Sequence, residues 1–279
     1  MSNDVELIVK AIEGLQSNPI KDYLLPVGTV FVSGLLGAGI AYYSIYRQEK
    51  TKIEIQKIEA VNNVILEAMN VRTNLIAIKD NYRGRISDCP IQRLLSVPPI
   101  MLRDNQFTLK LSSLSFIAPK IGDDADNKWT SLGYISTIFS NYNSMLNIWK
   151  KRNEIILDRL EDLKPFFHIP LGVKEVQRLL GPATVYQLSD LTELALMMTD
   201  EVLIEVCDFM IGFTAVAKTK VSKRVLKKFG PILNVELPDI NNEFIQRVPE
   251  VDYSLLAQVH GKTEIELRER YRPIYTDSN

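Results

Sequence analysis

LLPVGTVFVSGLLGAGIAYYSI, residues Leu24 to Ile45, is a run of 22 consecutive positions without a charge, most of them apolar. As an α-helix rising ~1.5 Å per residue it covers roughly 33 Å, close to the thickness of a bilayer's hydrocarbon core. Its flanks suit that reading. Lys21, Asp22 and Tyr23 precede it, and Tyr42, Tyr43, Tyr46 and Arg47 close it, placing aromatic rings at the level of an interfacial belt. Pro26 falls in the first turn, where a missing N–H is tolerated. The rival reading is a cleaved signal peptide, with Gly39-Ile40-Ala41 as a small-x-small cleavage site. The preceding residues argue against it, since Asp4, Glu6, Glu13 and Asp22 outnumber Lys10 and Lys21 where a signal needs net positive charge.

Basic residues near the ends set the expected orientation. Lys10 and Lys21 lie before the run, and Arg47, Lys50, Lys52 and Lys57 lie after it. That excess places the large C-terminal part in the cytoplasm and the short N-terminus outside, in an inner or plasma membrane. Cys89 and Cys207 would then face a reducing compartment. One face of the span is small: Thr29, Ser33, Gly37 and Ala41 recur every four residues, and Gly34 with Ala38 forms a second pair. Small residues let helix backbones approach in lipid, which points to self-association or a membrane partner. The simpler account is that glycine and alanine are common in such helices. The same stretch does not make a dinucleotide fingerprint, because Tyr42 stands where a third glycine belongs and no strand precedes it.

Outward from this run the composition is ordinary. The 279 residues carry 33 basic and 34 acidic side chains, are 46% hydrophobic and 24% charged, and so are globular rather than disordered. The near-neutral balance gives no general attraction to nucleic acid or to anionic membrane, so any such binding depends on local pattern. A second apolar run, Leu194 to Ala217, contains Asp200, Glu201, Glu205 and Asp208, each costing ~2.5–3.5 kcal/mol near a bilayer centre, so it reads as a buried core helix.

The rest is periodic at helical spacing. Val61, Val64, Ala68, Val71, Leu75, Ile78 and Tyr82 alternate steps of three and four, and no Pro or Gly interrupts residues 40 to 83. The membrane helix is therefore expected to continue as a stalk ending near Gly84. A second seam runs through Leu132, Ile135, Phe139, Tyr142, Leu146, Trp149, Asn153, Ile156, Leu160 and Leu163. Asn153 either fixes register against a partner helix or reaches solvent at the bundle edge. Asp123, Asp124 and Asp126 precede this helix as capping residues, and Trp129 occupies the glycine position that a calcium loop would need.

A short helix, Val173 to Leu180, should end at Gly181-Pro182, followed by a long one from about Val185 to Lys228. Acidic residues crowd its start (Asp190, Glu193, Asp200, Glu201, Glu205, Asp208). Lys218, Lys220, Lys223, Arg224, Lys227 and Lys228 crowd its end. This polarity suits the helix dipole. The sharper reading is a patch for anionic lipid or another polyanion, with Val221, Val225 and Leu226 as its apolar side. Without interleaved aromatics, single-stranded nucleic acid is disfavoured. Residues 107–117 fit helix or strand, and with no second strand to pair them they are read as helix. Prolines 231, 238, 249 and 273 cut the C-terminal 50 residues into short pieces. Near the N-terminus, Val5, Ile8, Val9, Ile12 and Leu15 form an amphipathic set that suits a membrane surface or a neighbouring protomer.

The search for chemistry finds no catalytic, cofactor-binding or metal-ligating set. Gly261-Lys262-Thr263 matches only the tail of a phosphate-binding loop, since Leu256 replaces its first glycine. It reads better as a helix stop at Gly261 and a capping box from Thr263 to Glu266. Two cysteines and two histidines, His168 and His260, both read as turn residues, make no zinc cluster. Cys207 reads as a buried apolar residue, and adjacent acids such as Asp200 and Glu201 diverge around a helix as solvated groups do. No small-molecule substrate site is apparent.

The sequence thus leads to an all-α chain. It comprises an extracytoplasmic N-terminus (1–23), a transmembrane helix (24–45), a stalk (46–83), a cytosolic helical bundle (84–229) and a C-terminal segment of short helices and loops (230–279). The function expected of it is non-enzymatic interaction: a scaffold, sensor or adaptor whose partners are the lipid bilayer and either its own copies or another membrane or cytosolic protein. It would oligomerise through the membrane helix and the heptad seams. The alternative is a toxin-like or host-defence effector that perturbs the bilayer.

Overall fold

The computed structural model describes residues 2–14, 20, 24–102, 107–119, 127–166, 171–236 and 244–275. Lys21, Asp22, Tyr23, Leu15, the acidic residues 123, 124 and 126, His168 and Pro238 lie outside them. Every regular element among the described residues is helical. The α-helices are α1 (Ser2–Gly14), α2 (Leu25–Asp80), α3 (Pro90–Ser96), α4 (Leu132–Asp158), α5 (Leu160–Leu163), α6 (Val173–Leu180), α7 (Pro182–Lys220), α8 (Lys223–Phe229), α9 (Tyr253–His260) and α10 (Glu264–Arg270). The chain divides into two compact units, Met1–Ile55 and Gln56–Asn279.

In the first unit the side chains of Val5, Leu7, Ile8, Val9 and Ile12 on α1 are exposed. So is every residue of α2 from Leu25 to Lys50. The second unit holds a packed core. Val61, Val64, Ala68, Val71, Leu75, Ile78 and Tyr82 are all buried there, so the first seam packs within the chain. α2 ends at Asp80 in a turn closed by Gly84, whose φ of +71° is the left-handed geometry glycine adopts without penalty.

Cross-contacts fix the directions of the three long helices. Asn74 donates to the Tyr142 hydroxyl (3.2 Å) and Tyr82 stacks on Trp149, so α4 runs parallel to this part of α2. Tyr134 reaches Glu205 and Arg152 reaches Thr192, so α7 runs antiparallel to α4. Two back-bonded threonines on α7 carry this seam. Thr199 accepts from the Trp149 indole N–H at 2.9 Å while donating to Ala195 O at 2.6 Å. Thr192 accepts from Arg152 Nε at 2.9 Å while donating to Leu188 O at 2.6 Å. Two satellite clusters complete the core: α3, α6 and Val259 close on Ile156, Leu163 and Val185, and α9 and α10 close on Val251 through Leu256, Leu267 and Tyr271.

Several expectations are corrected here. The second seam breaks at Arg159, whose backbone leaves the helix (φ −103°, ψ 8°), and Leu132 and Leu160 are only half-buried. The cap of α4 is Ser131, whose Oγ accepts from Tyr134 N–H at 3.3 Å. Asn153 neither faces a partner helix nor reaches into solvent. Its amide clasps the backbone of Ile100 on both sides, accepting from its N–H (3.1 Å) and donating to its carbonyl (2.6 Å). Asn143 treats Phe107 in the same way, both bonds at 2.9 Å. These paired bonds satisfy backbone groups that no strand or helix partner satisfies. Of residues 107–117, read as helix, 111–117 are helical, as a 3-10 helix rather than an α-helix. The long third helix ends at Lys220, and the extended backbone of Val221 separates it from α8.

Other expectations hold. α6 ends before Gly181, Gly261 adopts φ +63° after α9, and Thr263 with Glu266 forms the capping box that opens α10. Leu194 to Ala217 is a core helix, with Leu196, Leu203, Phe209, Met210 and Phe213 at most 1% exposed. Gly212 lies under the Trp129 ring, where a Cβ would come within 2.0 Å of the indole nitrogen.

Candidate functional site

Besides the exposed apolar side chains of α1, two surfaces are left unexplained by packing: the apolar stretch of α2 and the basic end of α7 and α8. The first is built from residues that gain nothing from water. Val27, Val30, Phe31, Val32, Leu35, Leu36 and Ile40 are each more than half exposed. Among the described residues this is the one helix long and apolar enough to cross a membrane, and that stretch has no buried residue. Its two hydroxyls are internally satisfied. Thr29 Oγ1 donates to Leu25 O at 2.7 Å, and Ser33 Oγ donates to Thr29 O and Val30 O. Back-bonding of this kind removes free polar groups from a helix surface and makes a hydroxyl tolerable in hydrocarbon.

The residues of the expected packing face are open. Thr29, Ser33, Gly34, Gly37, Ala38 and Ala41 are all exposed, and a Cβ added at Gly28, Gly34, Gly37 or Gly39 would meet nothing within 4 Å. The heptad seams are different, since all their side chains but those of the half-buried Leu132, Asn153 and Leu160 are spent on the core of the second unit.

At the basic end, Lys218, Lys223, Arg224, Lys227 and Lys228 are exposed and Lys220 is half-buried. The apolar side expected to accompany them faces inward instead: Val221 and Val225 are buried and Leu226 is half-buried. What remains outward is charge and one aromatic ring, Phe229, with Lys228 Nζ 5.1 Å from its centroid.

The acidic half of α7 overturns the expectation of solvated carboxylates. Asp190, Glu193, Asp200, Glu201 and Glu205 are buried, and each receives a cation from a different part of the chain. Asp200 meets Lys79 at the end of α2 (2.5 Å) and accepts from Val248 N–H (2.6 Å). Glu193 meets Arg93 of α3 (2.7 Å), and Glu201 meets Arg247 (2.8 Å). Asp190 takes Arg270 Nε and Nη2, both at 2.5 Å, and the Tyr271 hydroxyl at 2.7 Å. Glu205 meets Lys128 (2.9 Å) and the Tyr134 hydroxyl (2.7 Å). This ladder pins the surrounding segments to α7. The sequence carries one signal for it, six acids in an apolar helix with no base among them, but that pattern does not say which of them are buried or which distant cations pair with them. Arg152 is buried without a carboxylate, donating to Thr192 and to the carbonyls of Leu94, Val97 and Pro98; burial lowers its pKa to about 10.

Burial pushes the Glu193 carboxyl up to about 7 despite Arg93 beside it, and burial likewise raises Asp200 against the pull of Lys79. Burial alone would raise Asp190 too, but hydrogen bonds from Arg270 and Tyr271 hold it below the ordinary carboxylate range. A native carboxyl with a raised pKa binds its proton more tightly than the unfolded chain does. Stability should therefore fall as pH rises from about 4.5 to about 7 and level off above. Asp190 acts oppositely, contributing stability that is lost as pH falls below about 3.8. We expect the thermal midpoint of the detergent-solubilised protein to drop between those pH limits, with a shallower slope in Glu193→Gln; an unchanged slope would assign the titration elsewhere.

His260 is not a turn residue: it ends α9, buried against Tyr186 with Nε2 3.3 Å from Ser189 Oγ. Cys207 is buried, as expected of an inert packing residue. No group of three or more His, Cys, Asp or Glu among the described residues could hold a metal ion. The sequence matches no protein-family profile, and no curated protein or solved structure resembles it significantly.

Proposed function

We propose that this protein is a single-pass, membrane-anchored interaction protein, a scaffold, sensor or adaptor whose helical unit is presented in the cytoplasm and whose span self-associates. The observation that supports it is the wholly exposed apolar stretch of α2, with its hydroxyls internally bonded and its glycine face open. In water such a surface would be an aggregation site, whereas in lipid it needs no cover. Self-association is assigned to the span alone, because the heptad seams are buried within the chain. The excess of basic residues after the span supports a cytoplasmic C-terminus, so reporters fused at the two chain ends should read opposite sides.

Gly37→Ile is the direct test. The monomer accommodates the new side chain without a clash, so the fold and membrane insertion should be unchanged. Crosslinking or fluorescence transfer between full-length copies in vesicles should fall severalfold. Unchanged association would remove the glycine face from the account. Dye leakage that depends on Gly37 would favour the bilayer-perturbing effector instead.

A further inference from the structure

Within the second unit, α8 lies at the end where the chain enters. Asn62, six residues after Gln56, holds the chain just beyond α8, accepting from Leu233 N–H at 2.9 Å and donating to Pro231 O at 3.5 Å. Lys218 at the end of α7 reaches Asn234 at 3.4 Å. The stretch that builds α8 is one-sided in charge: between Asp208 and Glu236, residues 209–235 contain six basic side chains and no acidic one in a chain whose net charge is −1. Among the described residues, Lys223, Arg224 and Lys227 pair with no carboxylate. Their hydrophobic neighbours on α8, Val225 and Leu226, turn inward, so this is a solvated charge surface edged by the exposed ring of Phe229.

We propose that this end of the unit docks on the anionic headgroups of the membrane in which the chain is anchored. The inference rests on the anchored reading above. Eleven peptide steps join Ile45 to Gln56 and reach at most roughly 40 Å even when fully extended, so the basic end is confined near the bilayer at high effective concentration. Anionic lipid attracts such clusters, and an interfacial aromatic ring adds to the affinity. Nucleic acid fits less well, because no aromatic side chains interleave with the cations to stack bases.

The test uses the full-length protein in nanodiscs of phosphatidylcholine, with and without about one third phosphatidylglycerol, and reads hydrogen exchange of the α8 amides. Exchange should slow by roughly tenfold in the anionic discs and recover at about 0.5 M salt, where screening is complete within a few ångströms. The triple charge reversal Lys223→Glu, Arg224→Glu and Lys227→Glu, at exposed positions, should abolish the difference while leaving exchange in α4 and α7 unchanged. Equal exchange in both discs overturns the proposal. Protection by a single-stranded RNA in zwitterionic discs, with none from anionic lipid, overturns it in favour of nucleic acid. Failure of the chain to enter either disc would refute the anchor itself, a separate result.

Discussion

Lys79→Met should destabilise the helical unit by about 3–5 kcal/mol, the usual penalty for leaving one member of a buried ion pair without its partner. Lys79 and Asp200 are each 2% exposed, and the lysine also donates to Gln246 O, so this contact holds α2, α7 and the segment before α9 together. Methionine fills the volume of the lysine stem but supplies no charge. Asp200 must then stay ionised without its counter-ion or take up a proton, and either state is less stable than the native pair. Thermal unfolding of the detergent-solubilised chain, followed by circular dichroism, should show the full loss. In Lys79→Met/Asp200→Leu part of it should return, because an apolar pair replaces an ionic one. Recovery should be incomplete, since Gln246 O and Val248 N–H lose their partners. A single mutant that unfolds like the parent would mean that the ladder does not hold the fold.

Leu36→Arg has the second large effect, and its size depends on the solvent around α2. Leu36 is 61% exposed and near the middle of the apolar stretch. In water an arginine there would be nearly neutral, within about 0.5 kcal/mol, as surface substitutions usually are. In a bilayer it costs about 3 kcal/mol on insertion scales, roughly two orders of magnitude in the insertion equilibrium. We therefore expect the membrane-integrated fraction of newly made chain to fall sharply for Leu36→Arg and to stay unchanged for Leu36→Ile. Equal integration of both variants would show that lipid does not surround this helix.

The all-helical class and some helix boundaries were legible because they depend on local chemistry. The spacing from Val61 to Tyr82, the glycine stop at Gly261 and the Thr263–Glu266 box each carry their geometry in a few adjacent residues. What failed was long-range. Nothing near Asp200 or Glu193 announces that Lys79 or Arg93 will arrive, so buried ion pairs looked like solvated acids. Asn153 and Asn143 clasp backbone segments tens of residues away, a role that seam spacing cannot distinguish from register control. The seams themselves read as surfaces for partners because a heptad pattern does not say whether the facing helix lies in the same chain. The exposed glycine face of α2 was legible for the opposite reason: among the described residues nothing comes within 4 Å of a Cβ added there.

Alkaline carbonate extraction of cells expressing the untagged full-length chain, with N-terminal sequencing of the product, addresses the anchor without any substitution. The account requires the protein to stay in the membrane pellet, to be released only by detergent, and to keep its first residues. Release into the supernatant without detergent, or a mature chain that begins after Ala41, would contradict it.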